Sequence, residues 1–185
     1  MDIKAFRIIE NKNINSVLSG LLEDNEEVGA PCWWNEVQTK GTPFILSQDN
    51  TSVELLFLWR NTDDSVKEIY IDINGITDHH SFDMARLTHV KGTDVWFYKA
   101  RVNSTWRGSY TFIPVTHERV QPAYHGTYQE KRTKHREWLR TIFPLSVRDD
   151  LSKNNLSACE WGRSKTPLSM PCLLYTSPSP RDTRE

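Results

Sequence analysis

A series of extended segments between residues 43 and 115 constrains the fold of this chain more than any other feature. In SVELLFLWR every second side chain from Val53 to Trp59 is apolar and so lies on one side of an extended chain. The segments EIYIDIN, DVWFYKARV and GSYTFIPV repeat this period of two, and turn-forming clusters such as RNTDDS and KGTD separate them. Because no helical pattern lies between most of these segments, the sequence predicts a mainly β fold, an antiparallel sandwich.

Helical patterns precede the predicted strands. In INSVLSGLLEDNEEVG the apolar residues Ile14, Leu18, Leu21 and Leu22 share one helix face, which predicts a helix packed on the neighbouring domain. The stretch APCWWNEVQTKGTP predicts a second, short amphipathic helix that ends at Gly41.

A third helical pattern follows the strands. QEKRTKHREWLRTIFP carries a basic run and the apolar residues Trp138, Leu139 and Ile142, and Pro144 ends it. The next stretch, VRDDLSKNNLSACEWGRSKTPLSMP, is polar, Ser-rich and interrupted by proline, which is typical of a linker. The predicted division is a helical lead-in at 1–40, the sandwich at 41–118, a basic helix and linker at 119–171, and a tail at 172–185.

The last segment, CLLYTSPSPRDTRE, is either a disordered Ser/Pro tail or not native. It resembles the peptide obtained when a sequencing adapter is translated in frame at the end of a contig. We therefore expect residues 172–185 to be non-native, expect the natural chain to continue differently, and exclude this segment from the fold.

Charge and composition narrow the classes of function. The formal net charge is −1, which argues against a nucleic-acid binder that relies on bulk positive charge. No stretch approaches the roughly 18–20 apolar residues that cross a bilayer, and the charged N-terminus lacks the apolar core of a secretory signal. The three cysteines are widely spaced and form no C-x-x-C, which favours a reducing compartment. We expect a cytoplasmic protein with no nucleic-acid or membrane partner.

Glycine spacing excludes several catalytic motifs. The eight glycines stand at 20, 29, 41, 75, 92, 108, 126 and 162, and no two of them are four or five residues apart. A G-x-S-x-G nucleophile elbow requires a spacing of four, and a P-loop requires a spacing of five. These residues therefore cannot form the active site of an α/β-hydrolase.

The segment NGITDHH is the best candidate for chemistry, because an acid and two histidines directly follow a predicted strand. Asp78, His79 and His80 either bond local backbone groups in a loop, contact a ligand, or bind a metal. Neighbouring side chains on an extended chain point to opposite sides, so His79 and His80 do not readily chelate one ion. The pattern therefore favours the loop, and we expect no metal site.

A second candidate is STWRGSYTFIP, which places Trp106 and Arg107 at a turn before a strand. An indole and a guanidinium that both face outward bind a flat anionic aromatic ligand by stacking, cation–π contact and bidentate hydrogen bonds. Alternatively, Trp106 caps the sandwich core and Arg107 pairs with a strand acid. The basic run of the third helix is typical of a solvated face, with a binding patch as the alternative; it comprises Lys131, Arg132, Lys134 and Arg136.

Several of these segments occur together in one known family. FLWR (57–60), INGITDHH (73–80), GTDVWFYKARVNSTWRGSYTFIP (92–114) and DDLS (149–152), with the lead-in CWWNEVQTKGTP, resemble the N-terminal domain of enterochelin esterases, the cytoplasmic ferric-enterobactin hydrolases. The resemblance covers roughly residues 31–171. At 149–152 the family commonly has Asp-Pro-Leu-Asn-Pro, and this chain has Asp-Asp-Leu-Ser without either proline.

The resemblance implies an immunoglobulin-like, early-set β-sandwich that packs over the mouth of an α/β-hydrolase domain. In the family that second domain carries a Ser-His-acid triad and hydrolyses the trilactone of ferric enterobactin. We therefore expect this chain to be the substrate-covering part of such an esterase, without catalytic residues or cofactor of its own. The hydrolase domain would be a covalently linked partner that is missing here, and iron would enter only as the substrate chelate.

The resemblance also implies a ligand, because a ferric tris-catecholate is a flat-sided trianion. We expect Arg107, Trp106 and Arg60 to contact it, and His79 and His80 to hydrogen-bond catecholate or hydrolase loops. An alternative stays open, since early-set sandwiches also serve as non-catalytic carbohydrate-binding or interaction modules in which surface tryptophans stack on sugars. The candidate tryptophans are Trp33, Trp34, Trp96 and Trp106.

Overall fold

The computed structural model describes residues 17–19, 27–153 and 165–170. Its strands form two sheets, and every hydrogen-bonded pair of strands is antiparallel. The first sheet has the order β1-β2-β5-β4, with β1 at Phe44–Gln48, β2 at Ser52–Arg60, β4 at Thr88–His89 and β5 at Val95–Asn103. The second sheet has the order β3-β6-β7, with β3 at Val66–Ile73, β6 at Arg107–Thr116 and β7 at Thr166–Ser169. The predicted mainly β, antiparallel fold with flanking helices is confirmed.

The alternation within β2 places its side chains in two different cores. Val53, Leu55 and Phe57 pack in the cluster between the sheets, which also contains Ile69 and Phe112 of the second sheet. Leu56 and Leu58 face the opposite way and are also buried, because a helix covers the outer face of the first sheet. A strand that is buried on both faces loses the polar side of its alternation, which explains the nearly continuous apolar run in SVELLFLWR.

The helix on the first sheet is α1, Pro31–Lys40. Pro31 suits the first helical turn, where no hydrogen bond from its nitrogen is needed. Gly41 ends the helix with a φ of 79°, a conformation that favours glycine. Trp33, Trp34 and Val37 are buried against the outer face of the first sheet. The predicted short amphipathic helix and its end at Gly41 are confirmed.

The helix on the second sheet is α2, Tyr128–Ile142. A capping box starts it, in which the Thr127 nitrogen donates to Glu130 Oε2 at 2.6 Å and the Glu130 nitrogen donates to Thr127 Oγ1 at 3.3 Å. Trp138, the adjacent Leu139 and Ile142 pack in a cluster with Tyr70 and Ile113 of the second sheet. The predicted apolar contacts of this helix are confirmed.

Short 3-10 turns complete the described elements. The His79–Ala85 stretch, called the 3-10 segment below, lies between β3 and β4, and its Phe82 packs in the same cluster as α2. Two further 3-10 turns flank α2, at His117–Arg119 and Phe143–Leu145.

The stretch expected to be a linker within 119–171 contains a strand that the sequence pattern did not predict. β7 pairs with the start of β6 and completes the second sheet. Thr166 and Leu168 are buried, whereas Ser169 is exposed, so the alternation is present but only four residues long. A strand this short that contains a proline produces little periodic signal.

A buried carboxylate joins α1, the second sheet and the segment before β7. Asp149 is 2% exposed, and its Oδ2 accepts hydrogen bonds from Tyr110 Oη at 2.6 Å and Thr42 Oγ1 at 2.7 Å. Its nitrogen donates to Thr166 Oγ1 at 3.0 Å, and its Oδ1 accepts from the Leu151 nitrogen at 3.0 Å. Burial raises the pKa of Asp149, and burial together with the neighbouring Asp149 raises that of Tyr110. The DDLS segment is thus a packed joint of the fold.

Some predictions fall outside the described residues. They include the pattern at Ile14, Leu21 and Leu22 and the tail at 172–185. Leu18 is described, and it is buried in the cluster beneath α1. In the part of the chain that the structure describes, no helix is long and apolar enough to cross a membrane.

Candidate functional site

The loop between β3 and the 3-10 segment is closed by its own side chains. Gly75 has a φ of 73°, which lets the chain turn. The Thr77 hydroxyl donates to Asp72 Oδ1 at 2.9 Å and accepts from the Ile73 nitrogen at 3.0 Å. Asp78 caps the 3-10 segment, because its Oδ1 accepts from the His80 nitrogen at 2.8 Å. The loop interpretation of NGITDHH therefore accounts for Asp78.

The two histidines that follow have different environments. His79 Nε2 lies 2.9 Å from Asp72 Oδ1, and its ring contacts Phe82 and Phe143. His80 is exposed. Within residues 17–19, 27–153 and 165–170, no three His, Cys, Asp or Glu side chains lie close enough together to hold a metal ion.

Trp106 lies in the turn between β5 and β6, beside this loop, and Arg107 is the first residue of β6. Trp106 packs against the cluster between the sheets, and its Nε1 donates to the Asn74 carbonyl at 3.2 Å. Arg107 is exposed and pairs with Ser169 through the β6–β7 backbone. Trp106 thus caps the core, as one of the two interpretations predicts. A pocket of about 220 Å³ lies beside the loop, lined in part by Asn74 and His79.

Arg60 lies at the opposite end of the sandwich. β2 pairs with β5 from Ser52 opposite Asn103 to Arg60 opposite Val95, so Arg60 and the turn after Asn103 are separated by the length of β2, roughly 25–30 Å. Arg60 Nε binds Asp94 Oδ2 at 2.9 Å, and its guanidinium stands 5.4 Å from the centre of the Trp34 ring. The structure therefore does not bring Arg60 together with the other four predicted residues.

A groove of about 1010 Å³ lies between the 3-10 segment and α2 and is lined in part by His79 and His80; it is called the basic groove below. α2 contributes side chains at helical spacing, three of which are the cations Lys131, Arg132 and Arg136. Arg86 adds a fourth cation, and Asp83 is the one acid among the lining residues described. The fourth cation of the predicted run, Lys134, instead pairs with Glu137 at 3.4 Å. The basic run, which looks uniform in the sequence, is thus divided into three cations that line the groove and one that lies outside it.

Aromatic and imidazole rings line the same groove. They belong to His79, His80, Tyr124, Tyr128 and His135. Tyr128 is 72% exposed, and the Arg132 guanidinium stands 5.6 Å from the centre of its ring.

Buried His135 fixes the two walls of the groove relative to one another. Its Nε2 lies 2.7 Å from the His79 carbonyl oxygen, so this nitrogen carries the proton and donates it. Its Nδ1 lies 3.0 Å from Tyr124 Oη and accepts a hydrogen bond from the phenol when the ring is neutral. Burial raises the pKa of Tyr124, so the phenol keeps that proton at neutral pH.

Sequence reasoning did not identify Tyr124, Tyr128 or Arg86 as site residues. Tyr124 and Tyr128 precede or begin the helix, and Arg86 is isolated in sequence. The one signal of the groove in the sequence was the helical spacing of the basic run, because residues three and four apart lie on the same side of a helix.

The proposed tryptophan platform for sugars is wrong in part. Trp33 and Trp34 are 1% and 2% exposed, so neither presents a surface. Trp96 is half-buried, and the His89 ring stacks on it with centres 4.6 Å apart. The aromatic content around α1 stabilises the core, because large rings bury much apolar area.

Together these features define a class: a helix-flanked, antiparallel two-sheet domain with a polar strand-end loop and a basic, ring-lined groove beside it. Comparisons with known proteins identify the family. The family model described as "Enterochelin esterase, N-terminal" matches residues 54–173. The chain belongs to this family.

Curated relatives and solved structures agree with this assignment. The chain is 34% identical over 155 residues to the iron(III) enterobactin esterase of Dickeya dadantii (strain 3937), covering 81% of this chain and 35% of the relative. It is 37% identical over 126 residues to that of Yersinia enterocolitica, covering 65% and 36%. A crystal structure of the enterobactin esterase from Shigella flexneri in the presence of enterobactin superposes with a TM-score of 0.60 and 28% identity, covering 79% of this chain and 36% of that one. The chain therefore spans just over a third of the length of these relatives.

Proposed function

We propose that this chain is the substrate-contacting N-terminal domain of a cytoplasmic iron(III) enterobactin esterase. The observation that carries the proposal is the family match over residues 54–173, since it runs from β2 to β7 and includes α2 and the joint at Asp149. The similar proteins of Dickeya dadantii and Yersinia enterocolitica are iron(III) enterobactin esterases.

In this proposal the chemistry belongs to a linked α/β-hydrolase part. A serine activated by histidine attacks an ester carbonyl of the trilactone, and backbone N–H groups stabilise the oxyanion. The glycine spacing of this chain cannot form the nucleophile elbow of such a site. The sandwich contributes binding and covering of the ferric siderophore, and iron enters as part of the substrate.

Arg107 and Trp106 are proposed contacts at the strand-end face. Arg107 is exposed, with no salt bridge in the described part of the chain, so its guanidinium is available to an anion. His79 and His80 border the same loop and complete the proposed face.

A chimera tests the proposed function. The region of the Dickeya dadantii esterase that matches this chain is replaced by residues 1–171 of this chain, and hydrolysis of ferric enterobactin is followed by chromatography of the products. We expect the chimera to hydrolyse the siderophore faster than the Dickeya catalytic part alone. The isolated 185-residue chain is expected to leave it intact. Equal rates for the chimera and the catalytic part alone would contradict the proposal, as would hydrolysis by the isolated chain.

A further inference from the structure

The charge distribution of α2 singles out one side of that helix. Lys131, Arg132 and Arg136 face the groove, whereas Lys134 on the same helix pairs with Glu137 outside it. Arg86 is paired with Glu68 at 3.4 Å, so the three α2 cations and Asp83 decide the charge of the lining described. The groove therefore has an excess of positive charge in a chain whose formal net charge is −1. A concave, positively charged surface concentrates anions, because its protein walls focus the field.

The aromatic content of the groove suits a ligand that carries rings. Tyr128 is 72% exposed at the start of α2 and belongs to none of the three apolar clusters that hold the fold together. Arg132 stands over its ring, and Tyr124 and His80 lie along the same groove. Guanidinium and ring faces side by side bind a flat anion by stacking and by charge-assisted hydrogen bonds.

The groove is also much larger than the pocket beside the 74–78 loop. Its volume is about 1010 Å³, whereas that of the pocket is about 220 Å³. Small-molecule sites are commonly about 300–1,000 Å³ in volume. A chelate of three catechol rings therefore needs the groove. The hydrogen bond from His135 of α2 to the His79 carbonyl fixes one wall against the other, and the bond between His135 and Tyr124 positions that phenol, so the groove is preorganised.

We propose that the basic groove is the docking site of the ferric catecholate, with Lys131, Arg132 and Arg136 opposing its three negative charges and Tyr128, Tyr124 and His80 flanking its catechol rings. This inference rests on the proposed function and deepens it, since it moves the main substrate contact from the Trp106–Arg107 turn to α2.

The experiment measures binding of ferric enterobactin to the purified 185-residue chain by isothermal titration calorimetry. Arg132→Gln and Arg136→Gln each remove one groove cation. Lys134→Gln is the matched control, because it removes one cation from the same helix outside the groove. Arg107→Gln removes the cation of the strand-end face. Thermal unfolding of every variant verifies that it is folded.

We expect each groove variant to weaken binding about tenfold, since one charge-assisted hydrogen bond is worth about that factor. Lys134→Gln should bind like the unchanged chain. Inorganic phosphate at moderate excess should not displace the chelate, because it lacks rings.

Several results would overturn the inference. An equal loss for Lys134→Gln and the groove variants would mean a general charge effect, and displacement by phosphate would mean a generic anion site. A loss confined to Arg107→Gln would place the chelate at the turn and leave the proposed function intact. If the unchanged chain does not bind ferric enterobactin, the groove inference fails, and the activity of the chimera then decides the proposed function independently.

Discussion

The two helices that cover the outer faces of the sandwich pack on their sheets in different ways. α1 buries Trp33, Trp34 and Val37 along its length, directly against the first sheet. In α2 the buried residues all lie in the second half, from His135 to Ile142. The first half of α2 contributes no buried residue, and its Tyr128, Lys131 and Arg132 line the basic groove together with residues of the second half.

The two helices therefore have different roles, with stability contributed mainly by α1 and a binding surface formed by α2. A helix that packs along its whole length contributes apolar burial and leaves no cavity. A helix anchored at one end needs its other end stabilised in another way, and here the Thr127–Glu130 capping box stabilises the first turn of α2. The His135 hydrogen bonds fix the middle of the helix, where its buried half begins. Five predictions test this contrast.

The largest effect is expected at α1. Trp33→Ala removes a ring that is 1% exposed, and large-to-small changes of this kind cost about 3–5 kcal/mol of unfolding free energy. Tyr128→Ala at the unpacked end of α2 should change stability by less than about 0.5 kcal/mol. Urea unfolding followed by circular dichroism measures both. Similar losses for the two variants would contradict the contrast.

The joint behind α1 comes next. Asp149→Ala leaves the hydroxyls of Tyr110 and Thr42 without their acceptor, and each buried unsatisfied group costs about 1–3 kcal/mol. Asp150→Ala, at the exposed neighbouring acid, is the control and should have little effect. Equal urea midpoints for Asp149→Ala and the unchanged chain would show that the joint contributes nothing.

The same joint predicts a pH dependence. Because burial raises the pKa of Asp149, the folded chain holds this proton more tightly than the unfolded chain. The stability that Asp149 contributes is therefore fully present below the pKa of the unfolded state. It is lost as the pH rises through the higher pKa of the folded state. The stability of the unchanged chain relative to Asp149→Asn should increase as the pH falls from neutral towards the pKa of the unfolded state. A difference that is constant with pH would contradict this sign.

A smaller effect is expected at the start of α2. Thr127→Ala removes the side-chain cap and should cost about 1 kcal/mol. Thr127→Ser keeps the hydroxyl and serves as the matched control. Hydrogen exchange of the amides at 128–131 should accelerate in the alanine variant, whereas exchange near Trp138 stays unchanged. Uniform acceleration along the helix would indicate that both halves are anchored together.

The smallest effect is expected at Arg60. Arg60→Ala removes a half-exposed ion pair with Asp94 and a contact with the Trp34 ring, and exposed pairs contribute about 1 kcal/mol or less. Affinity for ferric enterobactin should not change. A clear loss of affinity with unchanged stability would support the binding role that the family resemblance implies for Arg60.

The sequence predicted the parts of the fold that depend on local periodicity. The central strands β2, β3, β5 and β6 and the two helices follow from periods of two and of about 3.6. β7 was missed because four residues with a proline carry too little pattern. The Asp149 joint was missed for another reason, since its partners Thr42 and Tyr110 are distant in sequence and only the tertiary fold brings them together.

The candidate site was predicted only in part. Trp106 and the NGITDHH loop are in contact, as their shared family motif suggests. Arg60 was grouped with them because residue type does not reveal at which end of a strand pair a side chain emerges. The groove depends on how far α2 stands from the 3-10 segment, a distance that no periodicity encodes.

The late position of β7 in the chain has a consequence for biosynthesis. The strands of the first sheet are complete once residue 103 has left the ribosome, whereas the free edge of β6 at residues 107–110 gains its partner only when residues 166–169 emerge. Farther along the same edge, Phe112 pairs with Val147. During that interval the nascent polypeptide presents an open strand edge of the kind that recruits foreign strands. A recombinant piece that stopped at residue 118 would lack both Val147 and β7, so we expect it to aggregate more than a piece that continues through Met170.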